Sequence, residues 1–526
     1  MKSADGPVRY ENLRDIVFHA GEQFPYTHFF LSNDHELPFV TGQGLLEACG
    51  QFGSWISRRG QTGCHIALLG PNSAAWLTCF FAAVSSGCAA VPLYYGSPLE
   101  DLAYCLQKSD SVILLYDKSC ERDAGALKDR IPELEIFEMH AMLYAIDSVE
   151  ESFFPPLAPE DPCALLFTSG TTEQSRCVIL TNRNTGAMAT AAMNVLPLSP
   201  RDTGLSIMPP SHTFELMTNI IGALHCGGEL HINQSLRTVK ANLKKLEPTI
   251  IVCVPLLLET LHKEILNQVR RKGKTAQFEK GMKLSGALRH FGIDISHRLF
   301  GEVYDVLGRN LRYFICGGAQ LDPELIDFFD RLGITVLQGY GITECSPVVA
   351  FNPPERNRPG SLGLPFPCCE VKILDGEICV RGKSVSPGYY NDPESTAACF
   401  RDGWFHTGDL GYIDKDGFLF FTGRSKNLIV LANGENVSPE ALEEKLYRID
   451  GVLDAVVYAQ NGRITAEIYA DPKVFPDRDA LWQAISRVNR TVSSFQQIGD
   501  LVVRREPFEK TVTQKIKRYQ IRKEQS

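Results

Sequence analysis

No two of the 16 cysteines in this sequence stand as Cys-x-x-Cys, and no His/Cys cluster has zinc-ligand spacing. Free, buried thiols in a reducing compartment are the reading that remains. A basic excess is also missing. The formal net charge of -9 excludes a general nucleic-acid binder, because neutralising phosphates requires a basic face. The start, "MKSADGPVRYENLRD", has charges where a signal peptide has its apolar core. The most membrane-like stretch, "SAAWLTCFFAAVSSGCAAVPLYYG", is interrupted by Ser85, Ser86, Gly87 and Pro92. It follows "HIALLGPN", so a strand, a buried helix and a second strand are expected rather than a membrane span. A cytoplasmic protein is therefore expected. There is no internal repeat, no low-complexity tract and no G-x-x-x-x-G-K-[ST] loop; "GEICVRGKS" comes near but has five residues between its glycines.

What is present is enough chain for about three or four structural units, with 526 residues, 44% hydrophobic and 22% charged. Apolar runs end in Gly, Ser or Asn and lead into helix-like segments: "HIALLGPNS", "SVILLYDKS", "TIIVCVPLL", "LRYFICGGAQLD", "ITVLQGYGITE". Continuous apolar strands alternating with helices predict an α/β fold with parallel sheet covered on both faces. Helical periodicity with charged outer faces predicts an α-helical insertion over about 256–310. From about 360 to 423 the pattern changes to short strands, with Asp375-Gly376 and Asp416-Gly417 as hairpin signals. In "SPEALEEKLYRI", Ser438 is expected to cap and Pro439 to open a helix. The organisation expected is a large domain at 1–423, a hinge at 424–426, and a small, mobile α/β domain at 427–526.

"LLFTSGTTEQSRCVILTNRN" has the strongest chemical content. A strand runs into Thr168, Ser169, Gly170, Thr171 and Thr172, followed by Arg176. Four hydroxyls, unobstructed backbone N–H groups and a cation suit polyphosphate oxygens; on composition alone, a polar surface turn fits as well. With "PPSHTFE", "CGGAQLD", "QGYGITECSP", "DGWFHTGDLG", "GRSKNLIVLANGENVSPEALE" and "KTVTQKIKR" following in order, the chain resembles the adenylate-forming enzymes. That superfamily comprises acyl-CoA synthetases, luciferases and peptide-synthetase adenylation domains. The resemblance spans roughly residues 40 to 520 and is greatest to long-chain fatty acyl-CoA synthetases.

The resemblance implies an ATP-dependent, AMP-forming fatty acid:CoA ligase with ATP, Mg²⁺ and coenzyme A. In it Gly317, Gly318 and Ala319 lie flat against adenine, where a Cβ on either glycine would push the base away. Tyr340, between Gly339 and Gly341, packs on the adenine, and Thr343 contacts the α-phosphate. Glu344 and Thr171 hold Mg²⁺, a hard cation taking few protein oxygens. Asp409 grips the ribose hydroxyls beside Arg424. His212 sits near the acyl-phosphate centre. Taken alone, these glycines and Asp409 read as turn residues, and His212 as a structural histidine. Lys515 is the implied catalytic cation: a carboxylate attacking an α-phosphate brings two anions together, which demands preplaced positive charge. Rotation about Lys426 would withdraw Lys515 and bring Gly434 and Glu435 to the pantetheine arm of CoA.

Three departures stand out. The family loop usually continues Gly-x-Pro-Lys-Gly, whereas this one reads Glu173-Gln174-Ser175-Arg176-Cys177. Arg176 keeps the charge as a planar fork rather than a point charge. Glu173 adds an anion, and Gln514 replaces the common glycine before the lysine. Two alternatives accompany the ligase reading: a ligase that passes the acyl group to a carrier protein in trans or stops at acyl-AMP, and a non-catalytic acyl-adenylate sensor. A lipid substrate is compatible with peripheral membrane contact, though no strongly basic amphipathic helix demands it.

Overall fold

The structure is a computed structural model. It describes residues 8–31, 40–149, 151–168, 175–233, 235–431, 435–460, 462–510, 516–518 and 521. The chain forms two compact units, 1–168 with 176–371 and 380–405, and 169–175 with 372–379 and 406–526. Within the second unit, the Thr407 hydroxyl donates to the Ile378 carbonyl at 2.7 Å. Gly411 N–H likewise donates to the Gly376 carbonyl at 2.9 Å. The stretch after Phe405 is thereby tied to residues 376–378.

The first unit holds two sheets. One runs in the order Glu135–Glu138, Ile113–Tyr116, His65–Leu69, Ala89–Pro92, Pro162–Thr168, Arg176–Thr181, parallel until its last, antiparallel pair. The other runs Phe30–Leu31, Glu229–Ile232, Thr203–Ser206, Ile250–Cys253, Tyr313–Cys316, Thr335–Gly341, then antiparallel through Val348–Phe351 and Leu364–Pro365. The apolar runs thus form parallel strands buried on both faces. Side chains of Tyr313–Cys316 alternate accordingly: Ile315 joins one apolar cluster, while Phe314 and Cys316 join another. The second cluster includes residues of the helices Pro255–Arg271, Thr275–His290 and Gly301–Leu307, which occupy the span predicted to be helical.

The membrane-like stretch is an interior helix, Ala74–Ser85, buried over its whole length and capped by Ser73 Oγ, which accepts the Trp76 N–H at 3.1 Å. Among the described residues no helix is long and apolar enough to cross a membrane.

In the second unit the Asp375-Gly376 turn has φ of 50° and 82°, the left-handed pair a two-residue hairpin needs. Asp416-Gly417 differs, since only Gly417 has positive φ, 86°. Asp414 Oδ1 accepts the N–H groups of both Asp416 and Phe418, at 2.9 and 3.0 Å, making a longer loop. Farther on, Val452–Gln460 and Arg463–Ala470 pair antiparallel, Asp500–Arg504 joins parallel, and the helices Pro439–Tyr447 and Arg478–Asn489 cover the core. Ser438 precedes its helix as expected but does not cap it through its side chain. Its hydroxyl donates to Glu440 Oε2 at 3.0 Å instead.

One acid lies wholly inside the first unit. Glu215 opens a π-helical turn, Glu215–Ile220, at 0% exposure, and its Oε1 accepts from Asn219 Nδ2 at 2.9 Å. Burial raises its pKa to about 8, only partly offset by hydrogen bonds to Ser206 and Asn219. A raised folded-state pKa means its stability contribution is complete below the ordinary 4.5 and is lost as pH rises toward about 8. Glu215→Gln should therefore gain on wild type in urea midpoint between pH 5 and pH 8, as measured on the transition of the first unit.

Candidate functional site

Three parallel strands end side by side, with Cys316 in register with Cys253 on one side and Gln338 on the other. Strand ends are where backbone groups run out of sheet partners, so the turns after them can face a ligand. Gly317 is buried and its N–H donates to the Cys253 carbonyl at 3.1 Å; Gly318 and Ala319 are exposed. A Cβ on Gly317 would come within 3.1 Å of the Phe214 ring, and Gly318 adopts φ +85°. The two glycines thus have protein-internal reasons: one admits Phe214, the other turns left-handed. The steric argument from a nucleotide base expected from sequence is not needed at Gly317.

Phe214 belongs to "PPSHTFE", so the same contact brings the His212 segment against the glycine turn. His212 is half-buried, and its ring meets Tyr94 edge-on with centroids 6.2 Å apart. A small cavity of about 30 Å³ elsewhere in the first unit is lined by apolar residues such as Leu198, Ala223 and Ile315 together with Asp202, Asn219 and Glu229.

The neighbouring strand carries Gly339, Tyr340 and Gly341. A Cβ on Gly317 would also lie 3.4 Å from the Gly339 carbonyl, so the two glycine turns adjoin. Tyr340 pairs with Ala350, and the register shifts between Tyr340 and Gly341. A Cβ on Gly341 would sit 2.5 Å from the Pro347 carbonyl oxygen. Only a bare backbone lets the chain return so closely through the single turn Thr343–Cys345. That return buries Glu344 to 7% exposure. Its Oε1 accepts the Tyr389 hydroxyl at 2.8 Å, and its carbonyl accepts the Ser386 N–H at 2.8 Å.

Arg176 converges on the same tyrosine. Its Nη1 donates to the Tyr389 hydroxyl at 3.3 Å and to Cys399 Sγ at 3.4 Å, and the guanidinium lies 5.0 Å from the ring centroid. Thr168 and Arg176 are register partners at the end of an antiparallel pair. Ser169, Gly170, Thr171 and Thr172, between them, lie outside the described residues. Tyr389 and Cys399 were not singled out from the sequence. "SPGYY" looks like any turn followed by aromatics, and only the fold brings it to Glu344.

In the second unit Asp409 is buried and forms an ion pair with its register partner Arg424, Oδ1 to Nε 3.0 Å. The turn before it is held by Glu377, whose Oε1 accepts the Gly408 N–H at 2.7 Å and whose Oε2 lies 2.9 Å from His406 Nδ1. Thr407 Oγ1 accepts the Asp409 N–H at 3.0 Å. Cys379 completes a Glu377–Cys379–His406 trio whose ligand atoms lie within 4.8 Å of one another, a grouping that sequence spacing did not reveal. With both Glu377 oxygens engaged, it acts as a bracket for the Asp409 turn. Lys426 is exposed within the turn Ser425–Asn427. Glu435 is exposed and its carbonyl accepts the Leu431 N–H at 2.9 Å. Gly434 and Lys515 lie outside the described residues.

A hard divalent cation suits Glu344: the donor is a carboxylate, it is nearly buried, and its Oε1 accepts a hydrogen bond from the neutral Tyr389 phenol.

Residues 18–390 match the AMP-binding enzyme family and residues 426–525 its AMP-binding enzyme C-terminal domain. The chain is similar to the long-chain-fatty-acid–CoA ligase FadD15 of Mycobacterium bovis, 30% identical over 451 residues, covering 80% of this chain and 75% of that protein. It is 27% identical over 518 residues to long-chain-fatty-acid–CoA ligase 5 of Rattus norvegicus, covering 84% and 75%. Its fold matches O-succinylbenzoate coenzyme A synthetase of Bacillus subtilis, solved with ATP and magnesium ion, at a TM-score of 0.77 and 22% identity over 96% of this chain and 99% of that one. The chain belongs to the AMP-binding enzyme family.

Proposed function

We propose that the chain is an ATP-dependent, AMP-forming fatty acid:CoA ligase, an acid–thiol ligase of long-chain preference working through an acyl-adenylate. The observation that carries this reading is the convergence of Arg176 and Glu344 on Tyr389, beside the strand-end turns at Gly317 and Gly339. A cation for phosphate oxygens and an acid for a divalent ion are what an ATP triphosphate requires. The long-chain preference is supported by relatives named long-chain-fatty-acid–CoA ligases.

In this reading the fatty acid carboxylate attacks the α-phosphate and pyrophosphate leaves; the thiol of CoA then attacks the acyl-adenylate and AMP leaves. Arg176 binds phosphate oxygens with its fork, Thr343 adds a hydroxyl donor, and Thr168 to Thr172 supply the loop. Glu344 and Thr171 would hold magnesium, which when bound neutralises phosphate charge. Gly317 to Ala319 and Tyr340 accept the adenine, and Asp409 with Arg424 the ribose. His212 is assigned to the acyl-phosphate centre, where it positions the carboxylate. Lys515 stabilises the charge that develops at phosphorus and takes no part in thioester formation. Gly434 and Glu435 are assigned to the pantetheine arm and Lys426 to the hinge.

Pyrophosphate exchange over a panel of fatty acids tests adenylation and chain length together, and product formation with CoA against a holo-carrier protein identifies the acceptor. Lys515→Ala should lower exchange by on the order of 10²–10³-fold while supplied acyl-AMP is still converted to thioester; equal loss of both steps would refute the division of labour. Glu344→Gln should raise the magnesium concentration needed for half-maximal exchange, and an unchanged titration removes the metal assignment.

A further inference from the structure

Tyr389 has no part in the reaction as described so far, yet its surroundings are built with unusual redundancy. It is 4% exposed. The segment that carries it lies along the strand Arg176–Thr181 as an added edge: Tyr389 bridges Val178, Ile179 N–H donates to the Gly388 carbonyl at 3.1 Å, and Tyr390 N–H donates to the Cys177 carbonyl at 2.7 Å. Ser386 fastens the same segment in two directions. Its hydroxyl donates to the Ile179 carbonyl at 2.7 Å, and its N–H donates to the Glu344 carbonyl at 2.8 Å. One turn earlier the Ser346 hydroxyl donates to the Ser384 carbonyl at 2.8 Å. Backbone bonds therefore tie residues 384–390 both to the strand that begins at Arg176 and to the turn that presents Glu344.

We propose that Tyr389 is a positioning residue for adenylation: its hydroxyl orients the Glu344 carboxylate while its ring face holds the Arg176 guanidinium. The inference rests on the roles given above to Arg176 and Glu344 and adds the side chain that sets both. By donating to Oε1 at 2.8 Å, the phenol fixes the carboxylate rotamer, as outer-shell hydrogen bonds do for metal-binding acids. The hydroxyl also accepts from Arg176 Nη1 at 3.3 Å, so one O–H links cation to anion in a polarised chain. Among the described residues only Nη1 of the guanidinium is engaged, which leaves Nη2 and Nε for phosphate oxygens. This also gives a reason for arginine where the family commonly has lysine. A planar guanidinium can lie 5.0 Å from the ring centroid and still present a fork, which a point charge cannot do.

The test uses the full chain and a readout other than turnover. Calorimetric binding of ATP, without fatty acid, is measured with Mg²⁺ and in EDTA for wild type, Tyr389→Phe, Arg176→Lys and Glu344→Gln, alongside melting temperature and the magnesium dependence of pyrophosphate exchange. Tyr389→Phe keeps the ring, so ATP binding in EDTA and the fatty acid KM should stay near wild type. The gain in affinity on adding Mg²⁺ should fall roughly tenfold, with the magnesium requirement shifted as in Glu344→Gln. Arg176→Lys should instead weaken binding in EDTA. If Glu344→Gln shifts the magnesium titration and Tyr389→Phe does not, the positioning role is overturned while the metal site stands. If neither shifts, the Glu344 assignment falls and the inference with it. A drop in melting temperature with a parallel rise in fatty acid KM for Tyr389→Phe would mark a merely structural tyrosine and overturn it. Should that variant not fold, unchanged EDTA binding in Arg176→Lys overturns the inference.

Discussion

Parallel strands covered on both faces have no solvated side on which to place polar chemistry. In the first unit this constraint holds along Ile250–Cys253, Tyr313–Cys316 and the first half of Thr335–Gly341, whose side chains are drawn into apolar clusters above and below. The backbone can meet a ligand only where the ladder stops. Gly317 and Gly318 fall at such a stop; Gly339 and Gly341 lie just past the end of the parallel pairing with Tyr313–Cys316, still paired to Val348–Phe351 on the other side, and lead into the turn that carries Glu344. The location of the site follows from the burial of the strands. Its chemistry follows from which loops are brought to the same edge.

Those loops handle buried charge in different ways. Glu344 is bonded to a phenol whose ring also faces a guanidinium; Glu215 is bonded to neutral groups, Ser206 and Asn219, and burial raises its pKa to about 8. Asp409 is instead ion-paired with Arg424, with Glu377 and Thr407 holding the turn from behind.

Much of this organisation can be read in the residues before any coordinates. The strands "TIIVCV", "YFIC" and "ITVLQ" are apolar runs bounded by proline or glycine, the helical stretch after Pro255 has clear periodicity, and the motif order identifies the family. Less accessible were features that depend on distant segments meeting. Tyr389 lies far along the chain from Arg176, and nothing in "SPGYY" specifies its partners. Phe214 packs against Gly317, a contact that inspection of "CGGA" could not foresee. The Asp416-Gly417 loop follows Asp414, whose carboxylate outcompetes the two-residue hairpin that the dipeptide suggests. Hydrogen bonds tie 406–411 to 376–378, a pairing that no feature of composition marks.

The helix Ala74–Ser85 has a consequence for how the protein is made. With every residue buried it offers water no face, and the segments it packs against include Gly42–Arg58 before it and Met139–Asp147 well after it. During synthesis its phenylalanines and tryptophan leave the ribosome ahead of the later half of their covering. For that interval the nascent chain carries a sticky, lipid-like surface. Shelter by chaperones until the following hundred or so residues arrive is thus written into the order of the segments, independently of anything the finished enzyme does.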